Sequence, residues 1–145
     1  MSPATSAKAR ILVVEDNPAD VDLLRRAFAH AGLDCDLTVI DDGEEALAFI
    51  HQSGVYAGAP APDLAIVDVN LPKHDGLEIV QEMRASPLYR GTPVMILTSS
   101  SLPRDRARAE KLAAGRYVIK AADLDEFLRI GGTVKEMLEE GRKRR

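Results

Sequence analysis

The chain is poor in cysteine and in aromatic residues. Its 145 residues include one cysteine, Cys35, no tryptophan, three tyrosines and three phenylalanines. A single cysteine cannot form an internal disulfide, which suits a reducing cytosol. Cys35 could be a reactive thiol, but a small buried hydrophobe is the simpler interpretation. A chain of this length can build one aliphatic core without disulfides or a structural metal.

Long hydrophobic runs and a large excess of one charge are also missing. No apolar run approaches the roughly 20 residues of a membrane-spanning helix, and the N-terminus lacks a signal-peptide core. With 19 Lys and Arg against 23 Asp and Glu, the net charge of −4 gives no reason to expect nucleic-acid binding. We expect a cytoplasmic protein that binds neither membrane nor nucleic acid, with residues 1–9 as a flexible leader.

Short apolar segments alternate with helical patterns along almost the whole chain. Fully apolar, β-branched runs are typical of buried parallel strands. Five strands are predicted, at residues 11–14, 35–40, 64–67, 94–97 and 117–119. Their alternation with five helices predicts a flavodoxin-like, doubly wound α/β fold with a parallel sheet in the order 2-1-3-4-5 and helices on both faces. In such a fold, ligands bind beyond the carboxyl ends of the strands.

Polar residues follow four of these strands. Glu15 and Asp16 end the first strand, Asp68 the third, Thr98 the fourth and Lys120 the fifth. Each has a plainer explanation when taken alone, such as a helix cap, a turn or a surface lysine. Their placement at the same end of adjacent strands favours a shared site instead. Three carboxylates brought close together repel one another unless a cation or protons compensate them.

The residue types at these positions suit phosphoryl transfer. Mg2+ prefers carboxylate oxygens, together with waters and phosphate oxygens. Asp68 is the natural nucleophile, because a carboxylate can carry phosphate as an acyl phosphate. Lys120 can supply a positive charge to a phosphoryl oxygen and Thr98 a hydroxyl donor. Asn70, two residues after Asp68, would turn its backbone carbonyl toward the metal.

At these residues the chain resembles the receiver domains of bacterial two-component response regulators. The resemblance extends over residues 10–138. It rests on five motifs, which are ILVVEDN at 11–17, LAIVD at 64–68, LPKHDG at 71–76, LTSS at 97–100 and YVIK at 117–120. The resemblance implies a single-domain signalling protein rather than an enzyme, whose only chemistry is self-phosphorylation from a phosphodonor and self-dephosphorylation.

By the same resemblance, Asp68 receives its phosphoryl group from a sensor histidine kinase. The resemblance also assigns roles to the remaining site residues. These are the metal ligands Glu15, Asp16 and Asn70 beside Asp68, the phosphate contacts Thr98 and Lys120, and the switch pair Thr98 and Tyr117.

Within the family, the chain is most similar to the short regulators of bacterial phytochrome kinases. The similarity lies in NPAD at 17–20, the extended loop at 55–60 and LPK at 71–73. One departure is Ala121, since the family usually has proline after the lysine, often in a cis peptide. A cis bond before a non-proline residue costs about 2.5–4 kcal/mol. We therefore expect a trans bond or a shifted loop after Lys120.

The C-terminal part is predicted to form a homodimer. We assign 10–132 to the receiver domain and 133–145 to a helical extension with a basic tail. Gly131 and Gly132 predict a bend in the final helix. Beyond that bend, Val134, Met137 and Leu138 would form an exposed apolar stripe that a second copy could cover. The alternative is a helix that continues along its own domain.

Three other functions are compatible with parts of the pattern. An aspartyl-phosphate phosphatase also uses a strand-end Asp, but Asn70 stands where a second acid is expected. A flavodoxin-like electron carrier needs a phosphate-binding loop after the first strand, where Glu15 and Asp16 would repel phosphate. A pseudo-receiver that acts only as a protein-binding module is the third alternative.

Overall fold

The computed structural model describes residues 8–143 and confirms the predicted sheet within them. Five parallel strands form one sheet in the order β2-β1-β3-β4-β5. The strands are β1 Ala9–Val14, β2 Cys35–Ile40, β3 Leu64–Val67, β4 Val94–Thr98 and β5 Arg116–Ile119. The helices are α1 Pro18–His30, α2 Gly43–Ile50, α3 Gly76–Ala85, α4 Pro103–Lys111, α5 Leu124–Leu128 and α6 Ile130–Lys143, and a short 3-10 helix spans Gly54–Tyr56.

Alternate residues of the central strands enter two separate cores. On one face of the sheet, Leu12 and Val14 pack with residues of α2 and α3. On the other face, Ile11 and Val13 pack with residues of α1, α5 and α6. Burial on both faces requires apolar side chains, which explains the unbroken apolar runs at residues 11–14 of β1, 64–67 of β3 and 94–97 of β4.

Helix caps fix where α2 and α3 begin. The Asp75 carboxylate accepts the Glu78 N–H at 3.0 Å, and the Glu78 carboxylate accepts the Asp75 N–H at 3.4 Å. These two reciprocal bonds form a capping box at the start of α3. At α2, Asp42 accepts the Glu45 N–H at 2.8 Å, but the Glu45 carboxylate accepts the Tyr56 hydroxyl, also at 2.8 Å. Only one of the two bonds of a capping box is therefore present at α2, because Glu45 helps to hold the loop before β3.

The final helix differs from the prediction at its glycines. It is divided into α5 and α6, and the division lies at Arg129. Gly131 and Gly132 belong to the first turn of α6, so the predicted bend at these residues is wrong. A Cβ atom at Gly131 would overlap the carbonyl oxygen of Ala27 in α1. Gly131 therefore permits a close approach of two helices instead of a bend.

The apolar stripe predicted to be exposed on α6 is buried in the domain. Val134, Met137 and Leu138 are 0%, 3% and 5% exposed, and they pack in the same core as Leu24 and Phe28 of α1. These three side chains cover the sheet, so the prediction that they await a second copy is wrong. The alternative of a helix that continues along its own domain holds. Any homodimer must use other surfaces.

The predicted segment boundaries do not coincide with element boundaries. The division between residues 132 and 133 falls inside α6. The predicted leader extends one residue into the sheet, because Ala9 is already the first residue of β1 and pairs with Cys35. Residues 1–7 of that leader and residues 144–145 of the basic tail lie outside the described part of the chain.

Within residues 8–143, none of the helices combines the length and hydrophobicity needed to cross a membrane.

Candidate functional site

Three carboxylates meet where β1 and β3 end. Because β1 and β3 are neighbours, Glu15 and Asp16 lie beside Asp68, and one oxygen of each lies within 4.8 Å of the others. Glu15 and Asp68 are 3% and 4% exposed, while Asp16 is open to solvent. The structure thus forms the acidic cluster that the strand ends predicted.

Lys120 compensates the buried part of this cluster. Its Nζ atom lies 2.8 Å from a carboxylate oxygen of Glu15 and 2.8 Å from one of Asp68. The backbone N–H of Lys120 donates to the Thr98 carbonyl at 2.8 Å, and this bond connects the loop after β5 to the end of β4. Peptide bonds in residues 8–143 are all trans, so of the two expected alternatives, a trans bond or a shifted loop, the trans bond before Ala121 is observed.

Asp20 is a fourth carboxylate at the site, and the sequence analysis did not include it among the site residues. Its carboxylate lies 2.7 Å from Lys120 Nζ and is 17% exposed. Asp20 lies in the first turn of α1, where a carboxylate also complements the positive end of the helix. The sequence contains one indication that Asp20 lies near the site. Asp20 is four residues after Asp16, and the first turn of α1 follows directly on the acidic pair. The contact itself joins residues 100 positions apart.

Burial and charge pull the pKa values of the site in opposite directions. Burial raises the pKa of Glu15 to about 7, assisted by the negative charge of Asp68. Hydrogen bonds from Lys120 and from the Asn17 N–H act against this shift. Burial acts to lower the pKa of Lys120, but hydrogen bonds with Asp20, Asp68 and Glu15 outweigh it and raise that pKa. Lys120 therefore stays charged. Its single positive charge does not balance the surrounding carboxylates, so the cluster can bind a further cation.

The donor set fits a hard divalent cation. Glu15, Asp16 and Asp68 supply oxygen ligands, and a cation among them would relieve the repulsion that helps to raise the pKa of Glu15. Asn70 is anchored beside them, because its backbone N–H donates to Asp68 Oδ1 at 3.0 Å. Its role as a backbone ligand stays a prediction.

Thr98 and Tyr117 are linked through Ser100. Thr98 is fully buried at the end of β4, and its hydroxyl accepts the Ser100 N–H at 3.2 Å. The Tyr117 hydroxyl donates to the Ser100 carbonyl at 3.0 Å. The Arg106 guanidinium lies 5.1 Å from the centre of the Tyr117 ring. One short loop thus connects the site to β5 and α4.

Gly76 brings the start of α3 against the backbone of Asp68. The Gly76 N–H donates to the Val69 carbonyl at 2.8 Å. A Cβ atom at Gly76 would overlap the carbonyl oxygen of Asp68. The glycine in LPKHDG is therefore required by close packing under the acidic cluster.

Comparison with known protein families identifies this arrangement. The family described as the response regulator receiver domain matches residues 11–130. The chain belongs to this family. The resemblance stated from the five motifs is thereby confirmed, and a receiver is a signalling domain rather than a metabolic enzyme.

The relatives of this receiver include phytochrome response regulators. Response regulator Rcp1 of Synechocystis sp. is 33% identical over 130 residues, which cover 90% of this chain and 88% of that protein. The structure of the phosphorylated cyanobacterial phytochrome response regulator RcpA is 35% identical and superposes with a TM-score of 0.84, covering 91% of this chain and 94% of that one. The structure of Mn(2+)-bound Rcp1 is 32% identical with a TM-score of 0.81, covering 88% and 92%.

Proposed function

We propose that this receiver accepts a phosphoryl group on Asp68 from a sensor histidine kinase and passes the signal on by a change of conformation. The observation that carries the proposal is the position of the Asp68 carboxylate. It is buried at the end of β3, 2.8 Å from the Lys120 ammonium and beside Glu15 and Asp16. This arrangement supplies a nucleophile, a fixed positive charge and a set of oxygen ligands.

The transfer replaces one phosphorus bond by another. An Asp68 carboxylate oxygen forms a bond to phosphorus while the bond from phosphorus to the kinase histidine breaks, and the imidazole leaves with that electron pair. Lys120 binds an oxygen of the phosphoryl group through the ammonium that now contacts Asp68. Mg2+, held by Glu15, Asp16 and Asp68 with the Asn70 carbonyl, would neutralise phosphoryl charge when bound. Asp68 Oδ1 is oriented by the Asn70 N–H.

The similarity to phytochrome response regulators supports a phytochrome-type kinase as the partner. The sequence identities of 33–35% with Rcp1 and RcpA are spread over about nine tenths of the chain. The net charge of −4 favours a protein partner over nucleic acid. A cytoplasmic location and a homodimer stay predictions, and the buried residues Val134, Met137 and Leu138 are not its interface.

Phosphorylation by a small donor tests the assignment of Asp68. Incubation with acetyl phosphate and Mg2+ should add one phosphoryl group, seen as an increase in intact mass. Asp68→Asn should abolish the addition, because an amide is not a nucleophile for phosphorus. EDTA should also abolish it, because the acidic cluster repels an uncompensated phosphoryl dianion.

Asp22→Asn provides a control for this experiment. Asp22 is exposed, forms a surface pair with Arg26 and carries the same charge as Asp68. This variant should be labelled like the wild type. Labelled Asp68→Asn protein would defeat the assignment. A wild type that never takes up phosphate would favour the pseudo-receiver alternative, and sustained turnover of a generic phosphoester would favour the phosphatase.

We further propose that Thr98 and Tyr117 transmit phosphorylation to the outer edge of the sheet. The hydrogen bonds of Ser100 to the Thr98 hydroxyl and the Tyr117 hydroxyl support this route. Phosphorylation acts on such loops by shifting a local equilibrium. Thr98→Ala should still be phosphorylated, but its response at Tyr117 should weaken several-fold. NMR shifts around Tyr117 before and after phosphorylation measure this response, and equal changes in both proteins would rule out the route.

A further inference from the structure

We propose that Asp20 is a positioning residue that keeps the Lys120 ammonium directed at Asp68 when the other carboxylates engage metal or phosphate. This inference rests on the proposed function, since it assigns Lys120 to the phosphoryl group. It concerns a residue that belongs neither to the converging carboxylates nor to the switch pair. Asp20 acts through Lys120 and touches no reacting atom.

The Lys120 ammonium contacts three carboxylates, with hydrogen bonds to Asp20 and Asp68 and an ion pair with Glu15. The Nζ atom lies 2.7 Å from Asp20, 2.8 Å from Glu15 and 2.8 Å from Asp68. The side chains of Lys120 and Asp20 are 15% and 17% exposed. Charge-assisted hydrogen bonds at this length and burial are stronger than exposed ion pairs. The Asp20 contact is the shortest of the three.

Glu15 and Asp68 each have a second function, whereas Asp20 has none at this site. Both belong to the group of three carboxylates whose oxygens converge, and Asp68 also receives the phosphoryl group under the proposed function. Asp20 is outside that group. Its contact with Lys120 is therefore the one that neither metal nor phosphate competes for directly.

Asp20 is held by a rigid element, whereas Lys120 is on a flexible side chain. Asp20 lies in the first turn of α1, where its N–H donates to the Asn17 carbonyl at 3.1 Å. Asn17 caps the same turn by accepting the Ala19 N–H at 2.9 Å. Lysine has a four-carbon stem with many rotamers, so a fixed carboxylate reduces the freedom of its ammonium. Asp20 thus restrains the position of the Lys120 ammonium from the first turn of α1.

The first test follows the ammonium itself and needs no phosphate. We would measure hydrogen exchange of the Lys120 ammonium by NMR in the full chain with saturating Mg2+. Asp20→Asn should accelerate this exchange about ten-fold, the order of effect expected for one lost charge-assisted hydrogen bond. Asp20→Glu should recover slow exchange, because it restores the charge. Asp22→Asn, which removes the same charge from the exposed face of α1, should exchange like the wild type.

The second test measures phosphorylation by acetyl phosphate. Asp20→Asn should lower the maximum labelling rate about ten-fold and leave the dissociation constant for Mg2+ within about two-fold, because Asp20 positions Lys120 and does not bind the metal. Asp20→Glu should recover most of the rate. A structural defect alone would not be rescued in this way, and it would appear in thermal unfolding curves of the variant.

Equal ammonium exchange in Asp20→Asn and Asp22→Asn would overturn the inference. A ten-fold loss of Mg2+ affinity with unchanged exchange would also overturn it, since Asp20 would then be a metal ligand. A wild type that cannot be labelled would sink the proposed function. Even then, the exchange test still decides whether Asp20 holds Lys120.

Discussion

Replacement of Gly76 by alanine is expected to slow phosphorylation about 100-fold and to destabilise the domain. The added Cβ atom would overlap the carbonyl oxygen of Asp68, a backbone atom that cannot rotate away. Either α3 or the end of β3 must move, and displacement of a reacting group by about 1 Å can cost two orders of magnitude in rate. Overpacking of this kind also costs roughly 1–3 kcal/mol of the free energy of unfolding.

Gly91→Ala is the matched control, because a Cβ atom at Gly91 would have no heavy atom within 4 Å. Its labelling rate with acetyl phosphate should equal that of the wild type, and its unfolding midpoint in urea should change little. The Gly76 variant should differ from it in both measurements. A Gly76→Ala protein that is labelled at the wild-type rate would show that α3 does not fix the position of Asp68.

The sheet and the acidic cluster could be predicted because their causes lie close together in the sequence. A strand buried on both faces, such as β3 Leu64–Val67, must be apolar throughout, and this pattern is visible in four consecutive residues. Parallel strands place their carboxyl ends at one edge, so Glu15, Asp16 and Asp68 could be assigned to one site without coordinates.

Asp20 and Gly131 could not be predicted correctly because their partners are distant in the sequence. Asp20 meets Lys120 across 100 positions, and its place at the start of a helix offered a sufficient local explanation. Gly131 approaches the carbonyl of Ala27 across a helix pair, whereas adjacent glycines in a helical pattern usually indicate weakness of the helix. In both cases tertiary packing determines the role of the residue.

The burial of α6 follows from the same packing. Val134 and Met137 occupy helical positions three residues apart, and this spacing alone does not say which surface the stripe faces. The close approach at Gly131 turns the stripe toward α1 and the sheet. A helix whose apolar face covers the core of its own domain leaves that face unavailable to a partner. The dimer interface predicted on this stripe is therefore wrong.

Alanine substitutions at the two adjacent glycines should have opposite effects. Gly131→Ala should lower the free energy of unfolding by roughly 1–3 kcal/mol, because its Cβ atom would overlap the Ala27 carbonyl oxygen and push α6 away from α1. Gly132 is exposed, and a Cβ atom there would have no neighbour within 4 Å. Gly132→Ala should therefore stabilise the domain by up to about 1 kcal/mol through helix propensity.

Urea unfolding of both variants and the wild type measures these differences. Each variant controls for the gain in helix propensity that the other glycine-to-alanine change also brings. For a domain of about 150 residues, 1 kcal/mol corresponds to a shift of roughly 2–4 °C in Tm, so thermal unfolding should rank the three proteins in the same order. If Gly131 and Gly132 instead formed a hinge that lets the end of the chain leave the body, alanine would stiffen the hinge at either position and the two variants would behave alike. Similar stabilities for the two variants would thus contradict the docking of α6 on α1, and with it the assignment of Val134, Met137 and Leu138 to the core.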